Sequence, residues 1–212
     1  MKRASRKNEI LDTAITIFGK FGYKKTSLAD IADAASLTPA ALYRYADGKD
    51  ELYRAAARRG LLRWQEEAFG AAENLTDPIE RFLALSLTSF RYLARDDDFS
   101  AMLRHDPALF PLFSGDRFET INDASKEMLK SILKDGVSQG LFRPLELERV
   151  THLFFSIYKM FIVGSYIETD RFTDDELFAE SLDILIRGLL TETGRQRYEK
   201  RLDIILYNKK EE

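Results

Sequence analysis

Apolar residues recur three and four positions apart along almost the whole chain. Nowhere do they hold the alternation by two that a half-buried strand requires, and no internal repeat is present. That pattern restricts the chain to helices packed on helices. With 212 residues and 24.4 kDa there is room for one large or two modest domains around a sizeable core. An all-α fold is expected.

Caps and breakers divide the chain. Ile10, Leu11, Ala14, Ile17, Phe18 and Phe21 form one stripe of a first helix that Gly22 should end. Ser27 with Asp30 three residues on predicts a second helix to about Ala35, and Thr38-Pro39 starts a short third one of about eight residues. Asp47 or Gly48 should cap a fourth, running past Trp64 to about Ala72. Asp77-Pro78 opens a fifth, and Pro107 and Pro111 should break the segment after it into short pieces. Three more strong helices are expected: one from Phe118 to Val137, one over 145–168, and one over 174–191 opened by Thr173 and Glu176. A weaker helix should span 195–207.

A helix, a three-residue turn and a short helix are the arrangement by which a second helix is laid into the DNA major groove. The residue types fit that use. Thr38 caps the third helix; Pro39, Ala40 and Tyr43 share one face of it, while Leu42 turns into the core. Pro39, Ala40 and Ala41 offer no side-chain hydrogen bonds, so base reading should lean on thymine methyls and DNA shape, with Arg44 available to phosphate or guanine. Thr26 and Ser27 should offer hydroxyls and backbone N–H groups to a phosphate, with Tyr45 and Lys49 flanking the far side. Charge agrees: residues 1–60 carry 12 Lys and Arg against 7 Asp and Glu, whereas 61–212 carry 20 against 28. Lys2, Arg3, Arg6 and Lys7 can be read either as a solvated tail or as a DNA contact.

The segment ILDTAITIFGKFGYKKTSLADIADAASLTPAALYRYADGKDEL, Ile10 to Leu52, resembles the TetR family of bacterial transcription regulators. The resemblance lies in phenylalanine and glycine ending the first helix, the Thr-Ser-Leu-x-x-Ile-Ala run, the small turn, the Leu-Tyr pair and the lysine before Glu-Leu. Two positions depart from the family pattern. Ser36 stands where glycine is usual, and Ala46 where phenylalanine is usual, a gap that Tyr23 or Tyr53 could fill. The resemblance implies a helix-turn-helix domain over 1–52 joined to a larger helical effector-binding and dimerisation domain over 53–212. It implies a homodimeric repressor released from a palindromic double-stranded DNA operator by a small apolar or amphipathic effector. A helical protein-interaction adaptor without an effector is the other reading.

In the larger domain the 145–168 helix is apolar on nearly every side and must be covered all round. The resemblance places a dimer interface on it and the next helix, at Phe154, Phe161, Gly164, Phe178, Leu182 and Leu185. It places an effector pocket at Phe82, Phe90, Met102, His105, Phe113, Phe155 and Tyr158, with Phe110 and Tyr92 as further candidates. The alternative for each of these residues is a place in the core.

Other chemistry is disfavoured. The absence of cysteine excludes disulfides, thiolate metal sites and thiol nucleophiles. No nucleotide-binding glycine motif, His-Glu-x-x-His or nucleophile elbow occurs, so no enzyme, metal or cofactor is expected. Asp96-Asp97-Asp98 lacks the alternate spacing of a calcium loop and reads as a helix start. The N-terminus lacks a signal-peptide core. The apolar stretch Val150–Ile167 is interrupted by His152 and Lys159, so a cytoplasmic protein with no membrane partner is expected.

Overall fold

The computed structural model describes residues 2–106, 119–163 and 172–200. The helices run α1 (Lys2–Lys25), α2 (Leu28–Ala34), α3 (Pro39–Leu42), α4 (Lys49–Glu73), α5 (Pro78–Arg95), α6 (Asp97–His105), α7 (Glu119–Ser138), α8 (Leu147–Val163), α9 (Asp174–Leu189) and α10 (Glu192–Glu199). Among the described residues there is no strand, only one antiparallel bridge between Phe142 and Leu190.

Side-chain oxygens start these helices by accepting hydrogen bonds from first-turn N–H groups that lack a partner inside the helix. Ser27 and Asp30 form a reciprocal capping box on α2, as Thr173 and Glu176 do on α9. Asp77 accepts from Ile79 and Glu80 ahead of Pro78, and Asp96 accepts from Phe99, so the Asp96–Asp98 run does start a helix. Within α1 the helical path breaks at Gly22, whose φ of 74° suits a residue without Cβ.

Some boundaries differ from the expected ones. The basic run at Lys2–Lys7 forms the first turns of α1 instead of preceding it. Helix α3 has four residues, because the backbone turns at Tyr43–Tyr45 soon after Leu42 reaches the core. Helix α6 is a nine-residue piece that ends before Pro107, and α10 begins at Glu192, capped by Thr191. Residues Pro107, Pro111, 164–168 and 201–207 of the expected elements lie outside the described residues.

The core forms two clusters. The first joins α1, α2, α3 and the leading half of α4, through Trp64, with Phe99, Met102 and Leu103 of α6. The second joins the rest of α4 and most of α5 with α7, α8, α9 and α10. The 52/53 boundary expected from the sequence falls inside the unbroken helix α4.

Helix α6 sits tightly on the first cluster. A Cβ at Gly19 would lie 2.3 Å from the Asp98 carbonyl oxygen, and one at Gly60 would meet the Phe99 ring. Polar contacts reinforce this seam: Thr16 donates to Asp98 at 2.6 Å and Tyr53 to Asp106 at 2.9 Å. Arg59 engages both oxygens of Asp12, and Arg63 bridges Asp12 to Asp96.

Candidate functional site: a turn-linked helix pair and an apolar cavity

Helices α2 and α3 are held together from below by Ile31, Ala32 and Leu42, all fully buried. The turn between them passes through Ser36 at φ 54°, so the position where glycine is usual does carry left-handed backbone. Serine there costs about 1 kcal/mol. The amides of Ser36 and Leu37 close the end of α2 on Asp33 and Ala32 carbonyls. Thr38 accepts from the Ala41 amide at 3.2 Å, starting α3.

Thr38, Pro39, Ala40 and Arg44 are exposed, Ala41 is half-buried, and Tyr43 is 54% exposed. Tyr45 is half-buried against the first core cluster. Ala46 and Tyr53 are both buried in the first core cluster, the Tyr53 ring edge-on to Phe18 at 4.9 Å and to Tyr23 at 5.0 Å.

At the start of α2 the polar groups face inward or each other. Thr26 is only 3% exposed and its hydroxyl donates to the Gly22 carbonyl at 2.9 Å. Ser27 is exposed, but its N–H and hydroxyl both donate to Asp30, which holds that carboxyl below its ordinary range. The Lys49 ammonium donates to the carbonyls of Tyr23 and Thr26 at 2.8 and 2.9 Å and lies over the Tyr23 ring. Lys49 and Thr26 therefore build the corner where α1 meets α2. The exposed cations beside this corner are Lys24 and Lys25, which the sequence reading passed over. A basic pair directly preceding a helix cap was the available signal.

A cavity of about 80 Å³ lies among α4, α5, α7, α8 and α9. Leu61, Trp64 and Gln65 of α4 form one wall, and Phe154, Phe155 and Tyr158 of α8 another. No charged side chain lines it among the described residues. Gln65 donates to the Ile121 carbonyl at 2.7 Å and to the Ser125 hydroxyl at 3.0 Å, tying α4 to α7. Trp64 donates to the Ser89 carbonyl and stacks on Tyr158 at 5.8 Å. Burial raises the Tyr158 phenol well above its ordinary value.

Of the residues expected around an effector, Phe155 and Tyr158 line this cavity. Phe82, Phe90 and Met102 are buried in the core, with Phe90 stacked on Phe178 at 4.1 Å. His105 is exposed at the end of α6, beside Gly22. Tyr92 is buried, its phenol pushed up to about 12 chiefly by desolvation. Phe110 and Phe113 lie outside the described residues.

Of the residues expected at a dimer interface, Phe154, Phe178, Leu182 and Leu185 line the cavity. Phe161 is half-buried with its ring 5.4 Å from Phe178, and Gly164 lies outside the described residues. The exposed apolar side chains of these two helices are Leu153 (49%), Met160 (58%) and Ile184 (64%). Leu153 and Met160 stand seven residues apart on α8, on one face. A helix apolar all round gives no periodic signal to say which stripe faces in. Among the described residues no helix is long and apolar enough to cross a membrane.

Comparison with known proteins bears on both regions. The model of the bacterial regulatory proteins of the tetR family matches residues 10–56, which span most of α1, all of α2 and α3, and the start of α4. The HTH-type transcriptional repressor KstR2 of Mycolicibacterium smegmatis is 32% identical over 147 residues, covering 66% of this chain and 69% of that protein. Likeness of fold extends further. AibR, solved with isovaleryl coenzyme A and operator DNA, superposes with a TM-score of 0.68 at 24% identity, covering 87% of this chain and 98% of that one. The fatty acid degradation regulator FadR from Bacillus halodurans superposes with a TM-score of 0.73 at 16% identity, over 85% of this chain and 94% of that one.

Proposed function

The chain belongs to the TetR family of bacterial regulatory proteins, and on that premise we propose that it is a homodimeric repressor released from a palindromic operator by a small apolar or amphipathic effector. The helix-turn-helix reads DNA through the exposed side chains of Thr38, Pro39, Ala40, Tyr43 and Arg44, with Lys24 and Lys25 beside phosphates. Lys49 acts by holding the corner under α2. The outward Leu153, Met160 and Ile184 supply the apolar face for a second copy. Two copies would set their α3 helices about 34–36 Å apart, one turn of DNA. The protein works in the cytoplasm, where its DNA is, and catalyses no reaction.

One observation carries the ligand-responsive part of this reading: α4 contributes Trp64 and Gln65 to the cavity wall and Lys49 to the corner beneath α2, without a break between them. A ligand that spreads the cavity must push on the helix that seats the DNA-reading pair. Its release of DNA equals its difference in affinity for the two states. The uncharged lining favours an apolar body with few polar atoms, since an unpaired charge there would cost several kcal/mol, ~3 or more. KstR2 is named for ketosteroids in its Mycobacterium tuberculosis form, and the AibR complex holds isovaleryl coenzyme A; the steroid skeleton and the isovaleryl chain are apolar bodies of this kind, the coenzyme A portion is not.

Incubating the full chain with genomic fragments at low salt and sequencing those retained tests the central assignment. Enriched fragments should share an imperfect palindrome, and Tyr43→Ala should change which sequences are preferred. Enrichment of no fragment would remove the DNA-binding assignment, and an unchanged preference would remove Tyr43 from the reading set.

A further inference from the structure

The DNA-facing set leaves one element of the basic run at the start of α1 unexplained. Arg6 turns back along the helix surface and donates from Nη2 to the Ala35 carbonyl at 2.8 Å, a part-buried contact across 29 residues of sequence. Its other terminal nitrogen, Nη1, pairs with Glu9 at 2.8 Å, and Ser5 donates to the same carboxylate. Ala35 is the C-cap of α2, where carbonyls lack donors inside the helix and a cation is favoured by the helix dipole.

The next residue is the strained one. Among the described residues Ser36 is the only non-glycine with positive φ, and it sets the direction in which the chain leaves α2 for α3. The Leu37 amide returns to the Ala32 carbonyl at 2.8 Å, so the turn is closed from one side by the backbone and from the other by Arg6. A left-handed serine relaxes toward ordinary backbone unless its surroundings hold it. Arg6 supplies that hold from α1, the helix against which α2 packs.

We propose that Arg6 is a positioning residue for DNA reading: by gripping the Ala35 carbonyl it fixes the Ser36 turn, and with it the angle between α2 and α3, without touching DNA. The proposal rests on the assignment of α2 and α3 as the DNA-reading pair. Its guanidinium is engaged by a protein carboxylate and a protein carbonyl, so contact with a phosphate would require breaking the grip.

The test uses the full chain, a duplex selected from a random-sequence pool by the wild-type protein, and the variants Arg6→Gln, Arg6→Lys, Ser36→Gly and the Arg6→Gln/Ser36→Gly double variant. Arg6→Gln should weaken binding about fivefold, the scale of one hydrogen bond, with the salt dependence unchanged. Arg6→Lys, which keeps a donor and the charge, should recover most of that loss. With glycine at position 36 the turn needs no holding, so Arg6→Gln should then cost less than about twofold. Amide exchange in the DNA-free protein gives an independent readout: the Leu37 amide should exchange faster in Arg6→Gln and return to the wild-type rate in the double variant.

A salt slope reduced by about one unit would make Arg6 a phosphate contact and overturn the proposal. So would an equal loss in both backgrounds, or a Leu37 exchange rate indifferent to Arg6. Failure of the wild-type chain to select any duplex would overturn the DNA-reading assignment itself, and the role given to Arg6 with it, even where exchange still reports the grip.

Discussion

The two core clusters differ in how they use polar atoms and space. Around α1, α2, α3, the start of α4 and α6, polar side chains are tied to one another or to backbone: Thr26 to Gly22, Lys49 to Tyr23 and Thr26, Arg6 to Ala35, Arg59 and Arg63 to Asp12. Glycine brings backbones close in both regions, Gly19 at Asp98 and Gly194 at Leu141. Around α5, α7, α8 and α9 ion pairs such as Arg81–Asp135 and Arg91–Asp175 also join the helices, but aromatic rings surround a cavity and apolar side chains reach the surface. A fixed shape suits the part that must match DNA. An adaptable one suits the part proposed to admit a ligand and a second copy.

The largest test of that difference is to remove one ring from each region. Phe18→Ala, in the closed first cluster, should cost about 4–5 kcal/mol in urea unfolding. Phe178→Ala borders space into which neighbours can relax and should cost about 3 kcal/mol. Equal losses would mean that the two cores are equally rigid.

Glycine substitutions sharpen the contrast at a smaller scale. Gly19→Ala drives a Cβ into the Asp98 carbonyl and should lower stability by about 2–3 kcal/mol, detaching α6 from α1. Gly70→Ala, on the trailing part of α4 with nothing within 4 Å of its added Cβ, should raise stability by about 0.5–1 kcal/mol. Thermal melts of both variants decide this. A harmless Gly19→Ala would show that the α1–α6 seam can open at little cost.

The smallest effect is one in which the regions should agree. Asp30 of α2 and Glu176 of α9 are both lowered, Asp30 mainly by the Ser27 hydroxyl and Glu176 mainly by the Thr173 amide. A depressed carboxyl pKa gives stabilisation that is present above the ordinary value and lost as pH falls through the folded one. Carboxyl titration by NMR should place Asp30 below its ordinary 3.8 and Glu176 below its ordinary 4.5. A normal value at either would show that its capping box does not persist in solution.

The same contrast governs what could be read from the sequence. In the first region most local signals had one meaning: the stripe packs into the core from Ile10 to Phe18, although Phe21 at its end is exposed, the helical path breaks at Gly22, and Ser27-Asp30 and Thr38-Pro39 start the next two helices. Burial of Thr26 and capture of Lys49 were not legible, because a hydroxyl or an ammonium has the same identity whether it faces a phosphate or a carbonyl of its own chain. Tertiary proximity decides which. In the second region the helices themselves were legible but their facing was not, since α8 is apolar on every side and offers no stripe to orient it. Hence Phe154, Phe178 and Leu182 line the cavity, and Leu153, Met160 and Ile184 take the outward places.

The central claim is that DNA bound at the first region is felt in the second through α4. Trp64 tests it most directly: it is the single tryptophan, it lines the cavity, and it lies fifteen residues along α4 from Lys49. Titrating the protein with a selected duplex while exciting tryptophan alone should shift its emission as the complex forms, saturating at the stoichiometry of binding, and a duplex of unrelated sequence should leave it unchanged. Tight, sequence-specific binding with Trp64 emission identical to that of the free protein would contradict the account.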